Sequence, residues 1–337
     1  MRTFKVAPAV GRLLYGVMTA ALLCVAAHAQ TSAPAASAPP FPTWLAQLRA
    51  DATAAGVRPE TIAAALPDTL SPIPRIIELD RKQPEFSLTF PQYLNRIVSA
   101  ERVRTGRARL RENRQLLEKI GKAYGVQPRF IVALWGIETN FGQLTGGFGV
   151  IPALVTLAHD GRRSDYFRKE LINALKIVDE GHIPLSRFTG SWAGAMGQCQ
   201  FMPSSFVQYA VDHDGDGHKD IWQNRADVFA SIASYLKNHN WDSTRTWGRK
   251  VRLPQGFDPA LAGTAKQKPL ADWRALGVKT ADGAALPQAD VNAAVVLPDG
   301  PSGPAYLVYD NFTRIMSWNR STFFALSVGE LADRIGQ

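Results

Sequence analysis

"QPRFIVALWGIETNFG", residues 127–142, decides how the chain is read. Pro128 suits the first turn of a helix, where its missing N–H leaves no bond unmade. Ile131, Leu134 and Trp135 stand seven, four and three residues before Glu138, and those spacings share one helical face. The spacing predicts a helix that carries a glutamate on an apolar side. A carboxyl group there loses hydration, which disfavours its anion and raises its pKa. A proton held near neutral pH is what a general acid needs. The bland alternative is a helix-end glutamate that reaches water or caps another segment.

A second stretch, "FTGSWAGAMGQCQFMPSSF" (188–206), sets Gly190, Gly194 and Gly197 among small residues, with Ser191, Gln198 and Gln200 as its polar members. Glycine lets backbone approach a ligand closely. Serine and glutamine offer donors and acceptors suited to sugar hydroxyls and acetamides. Alone, such a run is also an ordinary Gly-rich turn.

Around these stretches the pattern is mostly helical. "FPTWLAQLRADATAAG" places Trp44, Leu45 and Leu48 on one side and closes on Gly56. Helical signals follow through the basic run up to Lys122, then at 128–142, 165–179, 203–211 and 226–238. The arginines of the basic run read as a solvated face, or as a landing surface for an acidic polymer. After about residue 250, "KVRLP", "AAVVLPD" and "AYLVYD" are short β-like runs among Gly and Pro, while 254–290 is loop-rich. "STFFALSVGELADRI" closes the chain as a helix.

The amino terminus reads as a leader. Arg2, Lys5 and Arg12 precede "LLYGVMTAALLCVAA", and "AHA" at 27–29 ends in small residues, as in a secretory signal cleaved after Ala29. The apolar run falls short of the ~20 residues a membrane span requires. Leu23 is bulky where a lipid-bearing Cys24 would follow a small residue, so the reading is an unlipidated periplasmic protein. Removing the leader takes three basic residues from a net charge of +9 and leaves +6. In an exported protein that balance suggests an acidic surface partner rather than nucleic acid, or serves solubility alone. Cys199 is then the sole cysteine, which excludes an internal disulfide and a cysteine metal site.

Seven stretches carry a resemblance: "DRKQPEF" (80–86), "TFPQYLNRIVSAERV" (89–103), "FIVALWGIETNFG" (130–142), "GRRSDYFRKEL" (161–171), "GSWAGAMGQCQFMPSSF" (190–206), "YAVDHDGDGHKDIW" (209–222) and "NFTRIMSWNRST" (311–322). Together and in this order they resemble the membrane-bound lytic murein transglycosylase B family, whose lysozyme-like core cuts peptidoglycan strands. The resemblance implies that Glu138 is the catalytic acid/base. It implies that Ser191, Gln200 and Asn319 line the cleft and that Arg162 and Arg163 contact the stem peptide. Trp192 and Trp318 stand where many members carry tyrosine; they keep a stacking face and change the hydrogen bonding. Phe324 supplies an aromatic face without a hydroxyl.

Most glycosidases need two carboxylates. Asp160, Asp165, Asp179 and Glu180 are available, but each reads as a helix-terminus or surface charge. Muramic acid removes the need for a partner, because its own C6 hydroxyl can attack C1. One residue then serves as acid and afterwards as base, and the product carries a 1,6-anhydro end. No catalytic cofactor is required.

"DHDGDGHKDIWQ" (212–223) fits the front of a calcium loop, with Asp212, Asp214 and Asp216 at positions one, three and five. Gly217 takes the turn and the His218 carbonyl the seventh position. Position twelve is Gln223 rather than glutamate, and the resemblance points to Asp227 as the closing carboxylate. The expected Ca2+ is structural. His159 and His182 read as ordinary polar residues.

The sequence therefore predicts a mainly α chain: a signal peptide (1–29), a Pro/Ala/Ser linker (30–40) and a transglycosylase unit (41–337). Within the unit lie a helical region (41–122), a lysozyme-like core with the acidic loop (123–250), a loop/β excursion (251–290) and a return to the core (291–337). The expected substrate is the β-1,4 bond between N-acetylmuramic acid and N-acetylglucosamine, met by a monomer. The rivals are a water-using muramidase and a non-catalytic, calcium-dependent wall-binding protein.

Overall fold

The computed structural model describes residues 39–82 and 88–337. The leader, most of the linker and part of "DRKQPEF" lie outside the described residues.

Six helices open the described chain: Phe41–Ala54, Pro59–Ala65, Pro74–Arg81, Phe90–Ile97, Ala100–Glu112 and Arg114–Tyr124. Local chemistry explains their starts. Four carry proline in the first turn. The Phe90–Ile97 helix also has a capping box, in which Thr89 N–H donates to Gln92 Oε1 at 3.0 Å. Gly125, at φ 69°, ends the sixth helix in the left-handed conformation that glycine adopts without strain.

The next helix, Pro128–Thr139, runs through the middle of the main core. Every residue from Phe130 to Thr139 is buried. A helix that is apolar all round belongs in an interior. It packs against Ala100–Glu112, Arg114–Tyr124, Arg225–Asn238 and the terminal helix Thr322–Gly336. The apolar face expected from the sequence is thus only one of several enclosing sides. The helix stops abruptly: Asn140 and Phe141 both take left-handed angles, φ 50° and 60°. That turn folds Phe141 back edge-on to Trp135, with ring centroids 5.4 Å apart.

Helices Val150–His159, Ser164–Asp179 and Pro203–Tyr209 complete this side of the core. Between them a two-stranded antiparallel pair joins Phe148–Gly149 to Thr189–Gly190. Close approach explains the glycines here: a Cβ on Gly146 would lie 2.1 Å from the Gly190 carbonyl oxygen.

A separate five-stranded antiparallel sheet has the order Lys268–Pro269, Asn292–Val296, Ala305–Val308, Gly248–Arg252, Lys279–Thr280. Asn292–Val296 and Ala305–Val308, which the sequence reading assigned to the return segment, pair inside this sheet. They pair with each other across a short connection, while the Gly248–Arg252 strand that continues the ladder lies more than fifty residues upstream, beyond the reach of local periodicity. The sheet and helix Leu270–Ala275 enclose a smaller cluster around Trp273, Leu307 and Val295. Trp273 satisfies its buried indole by donating to Ala293 O at 2.8 Å. The chain then re-enters the main core through Asp310–Trp318 and Thr322–Gly336. Among the described residues no helix is long and apolar enough to cross a membrane.

Candidate active site

Glu138 sits one residue before the end of its helix and is 8% exposed. Trp318, the last residue of its own helix, donates its indole Nε1–H to Glu138 Oε1 at 2.8 Å. No other hydrogen bond to this carboxyl forms among the described residues. Burial drives its pKa up to about 8, and the Trp318 bond pulls the other way by favouring the anion. The group therefore carries a proton at neutral pH while retaining a donor for the charge left when that proton departs.

The four acids considered as partners are engaged elsewhere or sit at helix starts. Asp160 pairs with Arg81 at 2.9 Å, and Asp179 takes Arg58 and Thr61. Glu180 faces His182, and Asp165 lies in the first turn of its helix. No neighbouring carboxylate contributes to the Glu138 shift among the described residues.

The glycine-rich turn packs against the end of the acid-bearing helix, where Gln198 O accepts the Thr139 hydroxyl at 3.1 Å. Ser191 is buried; its N–H donates to Ala195 O, and its Oγ accepts from Ala195 N–H at 3.0 Å. Gln200 holds a left-handed φ of 50°. Its Nε2 donates to Thr145 O and Gly197 O, which fixes the amide so that its oxygen faces away from both. A non-glycine residue strained in this way is the kind of outlier that functional sites often retain. Trp192 is 9% exposed.

Trp318 belongs to an aromatic cluster, with ring centroids 4.6 Å from Tyr235 and 5.2 Å from Phe201. Tyr235 donates its hydroxyl to Ser317 O at 2.7 Å, which anchors the end of the Trp318 helix. Asn319 is buried and accepts from Ser321 N–H, so it shapes the turn between the last two helices. Phe324 is buried in the first turn of the terminal helix.

Arg162 and Arg163 both close on Asp80, at 3.0 and 2.6 Å. Asp80 is 2% exposed, so the arginines neutralise a buried carboxylate. The pairing ties Pro74–Arg81 to the start of Ser164–Asp179.

The sequence reading passed over two tyrosines. Burial, and after it the charge of the nearby Glu138, pushes the Tyr93 phenol up to about 12. It sits in the quoted stretch 89–103, but nothing local marks it out from its neighbours. Tyr235 is one apolar position among many on a buried helix.

Asp212, Asp214 and Asp227 bring one carboxylate oxygen each to within 4.8 Å of one another. Asp216 and His218 stand in the same loop, where Asp216 Oδ1 accepts from His218 N–H at 2.8 Å. Asp212 accepts from Gly215 and Gly217 amides, and Asp227 from His213 and Asp220 amides. Asp227 is fully buried; desolvation first, then the charges of Asp214 and Asp212, raises it to about 6. Converging oxygen donors that repel one another fit a hard cation such as Ca2+.

A buried acid on a central helix, bonded to an indole from a distant helix, stands in a mainly helical, lysozyme-like fold. The family described as Transglycosylase SLT domain matches residues 40–333, and the chain belongs to that family. Membrane-bound lytic murein transglycosylase B of Escherichia coli (strain K12) is 33% identical over 259 residues, 72% of this chain. The match spans 66% of that relative's length. The structure of SltB3 from Pseudomonas aeruginosa in complex with NAG-anhNAM-pentapeptide is 42% identical with a TM-score of 0.85, covering 88% of this chain and 80% of its own. Escherichia coli Slt35 in complex with calcium is 28% identical with a TM-score of 0.73, covering 89% and 94%.

Proposed function

We propose that this chain is a periplasmic peptidoglycan lytic transglycosylase that cleaves the N-acetylmuramic acid–β-1,4–N-acetylglucosamine bond and leaves a 1,6-anhydro end. The observation that carries the reading is the buried Glu138, bonded to an indole and, among the described residues, to no second acid. Its relatives include a protein crystallised with an anhydro-sugar peptide.

The neutral Glu138 gives its proton to the glycosidic oxygen as the C1–O bond breaks. Trp318 N–H stabilises the carboxylate so formed. The substrate's acetamide shields the cationic C1, and its C6 hydroxyl then attacks. Glu138 takes the C6 proton, which restores the acid and balances the reaction without water. Intramolecular attack also gains from proximity. Ser191, Gln200 and Asn319 would shape the cleft wall, and Trp192, Trp318 and Phe324 would supply apolar faces to the sugars.

Incubating sacculi with the protein and weighing the fragments tests this. Anhydro ends are one water lighter than hydrolysed ends, so hydrolysed ends would establish the water-using muramidase. Glu138→Gln keeps shape and loses the proton, with an expected fall of at least ~10²-fold. Sedimentation with sacculi and no released fragment would establish a wall-binding protein instead.

Arg162 remains 55% exposed at its side chain despite its bond to Asp80, and offers charge to a stem-peptide carboxylate. Arg162→Ala should slow cleavage of peptide-bearing strands and spare strands stripped of peptide; equal slowing on both removes the assignment.

Asp212, Asp214, Asp216, the His218 carbonyl and Asp227 would hold a structural Ca2+. The convergence of three of these carboxylates supports that site. The leader at 1–29 supports export.

A further inference from the structure

Gln198 lies between the glycine-rich turn and the acid-bearing helix, and its four polar groups are all used across elements. Its N–H donates to Ile221 O at 2.8 Å, and its Nε2 donates to Trp222 O at 2.7 Å. Its Oε1 accepts the Trp135 indole N–H at 2.8 Å, and its carbonyl accepts the Thr139 hydroxyl at 3.1 Å. Trp135 and Thr139 bracket Glu138 on the same helix, three residues before it and one after. Thr139 also receives Gly142 N–H at 3.1 Å, so the turn that ends the helix joins the same network. The fit leaves no slack, because a Cβ on Gly142 would approach Gln198 Oε1 to 2.3 Å.

We propose that Gln198 is a positioning residue for Glu138: it is the joint that locks the acid-bearing helix to the glycine-rich wall and to the last residues of the acidic loop. The side chain is chosen for its bifunctional end. One end must accept from an indole while the other donates to a backbone carbonyl, and an uncharged amide does both without adding charge beside the acid. A leucine or methionine of similar length would leave the Trp135 N–H and the Trp222 carbonyl without partners in a half-buried seam. Freed of that joint, the helix end shifts against the wall, and the reacting geometry is lost before the fold is.

The inference rests on Glu138 being the acid, so Glu138→Gln is assayed beside it. In the full chain, Gln198→Met should lower kcat on sacculi by about 10- to 100-fold, the cost of a small misplacement, with KM little changed. Its alkaline pH limb should move to lower pH, because a loosened seam admits water to Glu138. Trp135→Phe removes the indole N–H together with part of the ring and, with Gln198 itself intact, should shift the limb the same way by less. The double variant should be no worse than Gln198→Met alone.

If Gln198→Met only lowers the melting temperature, with kcat and the pH limb unchanged well below it, the residue is merely structural and the proposal falls. Additive losses in the double variant also sink it. Should Gln198→Met not fold, Trp135→Phe carries the test, and an unmoved limb there overturns it. An active Glu138→Gln would remove the functional reading itself; an inactive one beside a normal Gln198→Met removes only the joint.

Discussion

Glu138 and Asp227 are both buried carboxyl groups, yet their surroundings ask opposite things of them. Among the described residues Glu138 meets a single indole donor and apolar packing, so desolvation keeps it protonated to about pH 8. Asp227 accepts two backbone amides and sits against two more aspartates, an arrangement that would suit an anion facing a cation. Two groups of the same chemistry thus differ through the number of donors and neighbouring charges around them.

The largest effect should come from Glu138→Gln, which abolishes transfer and at the same time strengthens the fold. A group whose folded pKa is raised contributes stability fully below its unfolded value of about 4.5, and loses it as pH climbs through about 8. Urea unfolding should therefore show the glutamine variant stabler than wild type by on the order of 3 kcal/mol at neutral pH, with no difference near pH 4. Equal stability across that range would mean that Glu138 is hydrated.

Next in size is the cation. Asp227 is likewise raised, to about 6, so the metal-free loop weakens the fold as pH passes that value. Calcium at ~100-fold over its dissociation constant should restore about 2.7 kcal/mol at pH 7.5, and less at pH 5, where protons compete. Asp214→Asn should blunt the response. A melting temperature indifferent to calcium and chelator would break the contrast between the two carboxyl groups.

The smallest effect sharpens it. Trp318→Phe removes the donor that favours the Glu138 anion, so the alkaline limb of the pH–rate profile should rise by up to about 1 unit. A limb that stays in place would show that the indole bond does not persist in the working enzyme.

Much of this was legible in the chain itself. Pro128 and the spacing of Ile131, Leu134 and Trp135 gave the central helix and its suspicious acid. Gly217, at φ 91°, takes the turn its place in the acidic loop required. Local rules suffice there because capping, turn chemistry and helical periodicity act within a few residues. Arg162 and Arg163 show the limit. As a sequence they are two adjacent cations, and only folding brings them to Asp80, about eighty residues upstream.

The amino-acid sequence determined that one glutamate would ride an apolar helix and that three aspartates would share one short loop. Tertiary structure alone decided that Trp318, 180 residues away, would be that glutamate's partner. It alone set Tyr93 near the acid and made Gln198 the seam between helix and loop. Burial and pairing across such separations are properties of the packed core as a whole, and no window of sequence contains them.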